Sequence, residues 1–146
     1  MILSGRDVKW YIDAGKLVIR PINDNQFQQN GVDLILEDID TDPVALLLNT
    51  FYLGRTREYL EMPDDLMAFV ELRSTWARAG IILPPTIVDA GFKGTLTLEI
   101  FNCTSKLSPV GERFAHLIFA NMTGPSVPYS GKYQGQINIT GPIKDK

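Results

Sequence analysis

Between Arg73 and Glu99 the chain gathers Arg73, Ser74 and Arg78, then Asp89 and Glu99, in a short span punctuated by glycine and proline. Guanidinium groups hold phosphate oxygens through charge-assisted, often bidentate hydrogen bonds. A carboxylate on a rigid strand can orient a sugar hydroxyl or take a proton from water. Phosphate, sugar and an attacking water are the needs of a nucleoside triphosphate, so the span is a candidate site for one.

Each group also has a plainer use. Arg73, Ser74 and Arg78 flank Thr75-Trp76-Ala77 before Gly80, which predicts one helical turn with both arginines on one side. Such a turn could meet an anion, or simply surround a core Trp76 with solvated arginines. From Gly94 to Ile100, Thr95, Thr97 and Glu99 alternate with Leu96, Leu98 and Ile100, the period of a half-buried strand. Glu99 is then either a solvated face residue or a general base whose pKa partial burial would raise. Asp89 precedes the turn Ala90-Gly91-Phe92-Lys93-Gly94. A hairpin there would place Asp89 and Glu99 on paired strands, displaced by roughly 10 Å, which suits two ends of one ligand. Asp before Ala-Gly equally suits turn chemistry. Pro84-Pro85 holds the approach to Asp89 extended.

The elements that must position these groups are short. Ser4 as N-cap, Asp7 three residues on, an apolar stripe of Val8, Tyr11 and Ile12, and Gly15 as terminator predict a helix over 4–15, with Leu3 stapled against Val8. Eight strand candidates follow, at 17–20, 32–36, 44–48, 57–61, 67–72, 95–101, 115–120 and 136–140. That succession predicts an all-β sandwich or barrel. The 146 residues fit one domain spanning 1–146. The composition from about residue 129, rich in Gly, Gln, Tyr and Lys, suits a mobile tail that orders on a ligand or neighbouring subunit.

Composition narrows the chemistry. A 45% hydrophobic content supports a core without disulfides at this length, and Cys103 alone cannot form an internal one. A reducing, cytoplasmic setting is expected, with neither signal peptide nor membrane span. A net charge of -3 argues against a broad nucleic-acid surface. One His and one Cys cannot build the ligand set of a zinc deaminase. No Gly-rich loop has P-loop or dinucleotide spacing, and no serine-hydrolase elbow is present. His116, inside the apolar run 115–120, reads as a sheet residue with a satisfied ring nitrogen.

Five ordered motifs carry a resemblance over most of the chain. They are Asn30-Gly31-Val32-Asp33-Leu34, Arg73-Ser74-Thr75-Trp76-Ala77-Arg78, Pro84 through Phe92 followed by Leu98-Glu99, Gly111-Glu112-Arg113-Phe114, and Lys132-Tyr133-Gln134-Gly135-Gln136. They resemble the dCTP deaminase branch of the dUTPase-like superfamily, archaeal members in particular. The resemblance implies a distorted jelly-roll β-barrel with an N-terminal helix and one short helix, assembled as a homotrimer with sites at subunit interfaces. It implies Glu99 as the base that activates water against dCTP, and Asp89 as acceptor for the deoxyribose 3'-hydroxyl with Phe92 beside the sugar. Ser74 and Arg78, supported by Arg73, would lie beside the triphosphate and catalytic water of a neighbouring subunit's site, and Lys132, Tyr133 and Gln136 would close over phosphates and base. Magnesium would travel with the triphosphate, and dTTP would inhibit. Retention of both Asp89 and Glu99 leaves a bifunctional enzyme open beside a monofunctional dUTPase or a non-catalytic nucleotide-binding trimer. Between Asp33 and Arg57 the chain is shorter than typical deaminases, and after Gln136 it departs from the usual tail.

Overall fold

The computed structural model describes residues 1–41 and 45–145. Helix α1 (Gly5–Asp13) opens on the expected capping box: Asp7 N–H donates to Ser4 Oγ at 3.1 Å and Ser4 N–H to Asp7 Oδ2 at 3.3 Å. Leu3 and Val8 are both buried in the core, the staple that fixes the chain's entry. The helix stops at Asp13, and Gly15 takes a φ of 70° just beyond its C-cap Ala14.

Among the described residues nine strands follow: β1 (Val18–Arg20), β2 (Phe27–Gln28), β3 (Gly31–Ile39), β4 (Thr50–Glu61), β5 (Leu66–Leu72), β6 (Ile81–Ile82), β7 (Thr86–Val88), β8 (Lys93–Asn102) and β9 (Arg113–Asn121), with helix α2 (Ser74–Arg78) between β5 and β6. They form one sheet in the order β6-β8-β4-β3-β9-β5-β7, with β1 on β4 and β2 on β3. Strand β3 joins its two arms. Val32 to Ile35 pair with β9, whereas Leu36 to Ile39 pair with β4, and the register shifts at Leu34/Ile35 and Leu36/Asp38. Bulges bend a strand and add twist, so one strand serves both arms and the sheet curls around its core. Val32, Leu34, Leu36, Leu98, Phe114 and Leu117 are almost fully buried there.

Side chains answer the polar groups that these irregularities release. Ile35 N–H donates to Glu58, at 3.0 and 3.2 Å to its two oxygens, and Gln26 Nε2 donates to Glu58 Oε1 at 2.8 Å and to Asp33 O at 2.9 Å. Where β4 slips against β8 between Arg55 and Tyr59, Leu96 N–H donates to Thr56 Oγ1 at 3.0 Å. A Cβ on Gly54 would fall 2.7 Å from Leu36 Cδ1 and 3.0 Å from Ile100 Cδ1, so a side chain there would push core side chains aside.

Three expectations are corrected. Residues 136–140 form no strand: Thr95 N–H donates to Gln136 O at 2.8 Å and Thr140 N–H to Thr97 Oγ1 at 3.1 Å, but no ladder continues between them. Of the candidate strand 44–48, Val44 lies outside the described residues, and the remainder contributes only a bridge from Leu46 to Leu107. Asp89 and Glu99 do not share a hairpin. β7 pairs with β5, and β8 with β4 and β6, so the turn after Asp89 crosses from one arm to the other.

Candidate active site

The crossing builds a cavity of about 460 Å³ between the two arms. Phe51 and Leu53 of β4 and Thr97 and Glu99 of β8 form one wall; Val70 of β5 and Thr86 to Asp89 form the other. Phe92 lies at the crossing, with its ring 5.9 Å from that of Tyr129. The turn is tied by Phe92 N–H to Asp89 O at 3.1 Å and Gly91 N–H to Pro63 O at 3.1 Å, with Gly91 at φ 79°. A Cβ on Gly91 would meet Pro128 at 2.6 Å, so only glycine permits this turn under the C-terminal segment.

That segment closes the third side. Tyr129 N–H donates to Ala90 O at 2.8 Å, Lys93 N–H to Gln134 Oε1 at 2.7 Å, and Gln136 Nε2 to Thr95 O at 3.0 Å. Tyr133, Gln136 and Thr140 to Pro142 therefore line the cavity beside β8. Gln136 Oε1 is buried without a hydrogen-bond partner.

Glu99 sits opposite Leu53 in the ladder and is half-buried in this largely apolar wall. Burial pushes its carboxyl above the ordinary carboxylate range, opposed by its own backbone amide. A carboxylate so placed on a paired strand is held in position and is a better proton acceptor than an exposed one. Asp89 is exposed at the opposite wall. Five of the expected residues thus meet in one cavity: Asp89, Phe92, Glu99, Tyr133 and Gln136.

The other four lie elsewhere. Ser74 and Arg78 are exposed on α2, and Arg73 is bound to Asp33 at 2.9 Å. Lys132 is paired with Asp145 at 2.8 Å, which raises its pKa. Among the described residues, none that lines the cavity is cationic. Sequence reasoning missed Phe51, Leu53 and Tyr129, whose apolar character reads as core, and Asp33, which lies inside a core strand. His116 is the expected sheet residue, its Nδ1 2.9 Å from Asp33 Oδ1. Among the described residues no helix is long and apolar enough to cross a membrane.

Residues 36–122 match a family model described as dCTP deaminase-like. A Sulfolobus islandicus rod-shaped virus 1 protein, named as a probable deoxyuridine 5'-triphosphate nucleotidohydrolase, is 44% identical over 153 aligned residues, covering 96% of this chain and 97% of its own. A dCTP deaminase of Sulfurisphaera tokodaii is 42% identical over 168, covering 97% and 92%. Among solved structures, a 2'-deoxycytidine 5'-triphosphate deaminase from Agrobacterium tumefaciens superposes with a TM-score of 0.69 at 19% identity over 81% of this chain, which spans about half of that one, 47%. An EIAV dUTPase superposes at 0.58 and 18% identity, covering 81% of this chain and 98% of its own. At these identities the solved structures establish the jelly-roll fold.

Proposed function

Because the chain belongs to the dCTP deaminase-like family, we propose that it deaminates dCTP to dUTP and ammonia. The half-buried Glu99, its pKa raised by an apolar wall, is the observation that carries this reading. Glu99 takes a proton from water, and the hydroxide adds to C4 of cytosine. The acid so formed gives that proton to the amino nitrogen, the C4–N bond breaks and ammonia leaves; the hydroxyl's remaining proton passes to N3 as the C4 carbonyl forms. Asp89 accepts the deoxyribose 3'-hydroxyl, Phe92 packs against the sugar, and the segment from about residue 129 closes over the ligand. Retention of Asp89 also allows hydrolysis of the dUTP product to dUMP and pyrophosphate at the same site.

Among the described residues the cavity lining supplies no cation to neutralise a triphosphate. We therefore assign its charge to Ser74 and Arg78 of a second copy, supported by Arg73, within a homotrimer. Two apolar cross-strand rows support self-association: Ile82, Phe101 and Phe51 on one arm and Ile87, Phe69 and Ile118 on the other. Phe51 and Ile87 are more than half exposed at the cavity rim. Lys132 reaches phosphate only by releasing Asp145. Among the described residues no three His, Cys, Asp or Glu side chains converge into a metal cage. Magnesium carried on the triphosphate oxygens would neutralise phosphate charge.

Monofunctional dUTPase is the second reading, favoured by length. The alignment with the viral dUTPase relative spans 153 positions, whereas that with the deaminase of Sulfurisphaera tokodaii spans 168, so this chain and the viral protein share the more compact form. Incubation with dCTP or dUTP and magnesium, following ammonia, uracil nucleotides and pyrophosphate, separates the two. Pyrophosphate from dUTP with no ammonia from dCTP would replace the first reading by the second.

A further inference from the structure

Asp33 stands between Val32 and Leu34 in the core half of β3 and is 1% exposed. Oδ2 meets Arg73 Nε at 2.9 Å and Arg113 Nη1 at 3.3 Å, and Oδ1 meets His116 Nδ1 at 2.9 Å. Burying a charge with its partners adds little net stability compared with apolar side chains of similar volume. The use of such a cluster lies in what it holds in place.

What it holds is α2. This helix has no buried residue, and its N-cap Arg73 makes no side-chain capping hydrogen bond. Its far end is fixed separately: Trp76 packs against the buried Phe114 with ring centroids 6.0 Å apart, and Ala79 O accepts from Thr104 Oγ1 at 2.8 Å. At the N-terminal end, which carries Ser74, the tethers run to the Asp33 cluster: the Arg73 guanidinium on Asp33, Trp76 Nε1–H to Arg113 O at 2.9 Å, and Arg73 N–H to Phe114 O at 2.9 Å. Arg113 is itself held by Asp33 and by Asn25 O, to which Nη1 donates at 2.8 Å.

We propose that Asp33 is a positioning residue: through Arg73 and Arg113 it sets how α2 presents Ser74 and Arg78, and so governs affinity for the phosphate part of the nucleotide and not for its nucleoside part. This rests on the phosphate role proposed above for Ser74 and Arg78.

Calorimetry on the full chain, in a Glu99→Gln background that spares dCTP from deamination, compares dCTP with deoxycytidine. Asp33→Asn, which keeps shape and removes charge, is expected to weaken dCTP binding about ten- to a hundredfold, the value of a charged hydrogen bond, with deoxycytidine binding unchanged. Asp33→Glu, which keeps the charge but is one methylene longer, carries the same expectation should the asparagine variant not fold. Equal losses for both ligands, the mark of a loosened fold, would overturn the inference, as would no loss at all. Arg78→Ala in the same titration separates the two levels. If it weakens dCTP while the Asp33 variants do not, Asp33 alone is misassigned; if it leaves dCTP untouched, the phosphate role of α2 fails and the inference with it.

Discussion

Asp89 and Glu99 line one cavity although the strands that place them never pair: Asp89 directly follows β7, which bonds to β5, while Glu99 lies on β8 opposite Leu53 of β4. The two carboxylates are brought together by closure of the curled sheet. The separate tasks proposed for them rest on burial. Asp89 is exposed and suited to receive a sugar hydroxyl, whereas Glu99 is half-buried and suited to proton transfer.

Burial holds Glu99 protonated above the ordinary carboxylate pKa, and a general base must be ionised to act. The acid limb of kcat/KM for dCTP is therefore predicted to lie at higher pH than an unperturbed glutamate would give. A pH-rate profile measures it. A limb at or below the ordinary carboxylate value would contradict the assignment.

Glu58 is a second carboxylate whose pKa burial raises, against opposing hydrogen bonds from Ile35 and Gln26. Between its ordinary and raised pKa the folded state keeps a proton that the unfolded chain has lost. Folding stability is thus greatest below this window and declines as pH rises through it. Glu58→Gln places an amide donor against the donors that Glu58 now satisfies, with an expected cost of about 1–3 kcal/mol at low pH and a flatter pH dependence. Urea unfolding at several pH values checks both. A variant as stable as the parent with an unchanged slope would show that Glu58 does not cap the bulge.

Gly94, at φ 149°, has room for no side chain, since a Cβ would fall 2.5 Å from Gln136 O. Gly94→Ala is predicted to push the C-terminal segment off β8 and raise KM for the nucleotide about five- to thirtyfold, equivalent to 1–2 kcal/mol of docking. Steady-state kinetics beside a thermal melt measures the effect. A lowered melting temperature with unchanged KM would place the cost in the barrel instead.

Local features of the fold were legible where the signal is local. Ser4, Asp7, Val8 and Gly15 specify α1 within two residues of its end, and the Thr95 to Ile100 alternation specifies β8 and the side of Glu99. Pairing was not legible, because the partner of β7 depends on closure across the whole chain. The segment 136–140 has the composition of a strand, but only Gln136 and Thr140 bond to β8. Asp33 was hidden for a similar reason. It sits in a strand of core residues, and Arg113 and His116 lie 80 and 83 residues away in sequence.

Ammonia release from dCTP by the parent protein and by Glu99→Gln tests the central claim most directly. The substitution preserves shape and removes only the base. The parent should release one ammonia per dUTP formed, and Glu99→Gln should lose about two to four orders of magnitude in rate while still binding dCTP. Release at the parental rate from Glu99→Gln, or no ammonia from a parent protein that splits dUTP to dUMP and pyrophosphate, would contradict it.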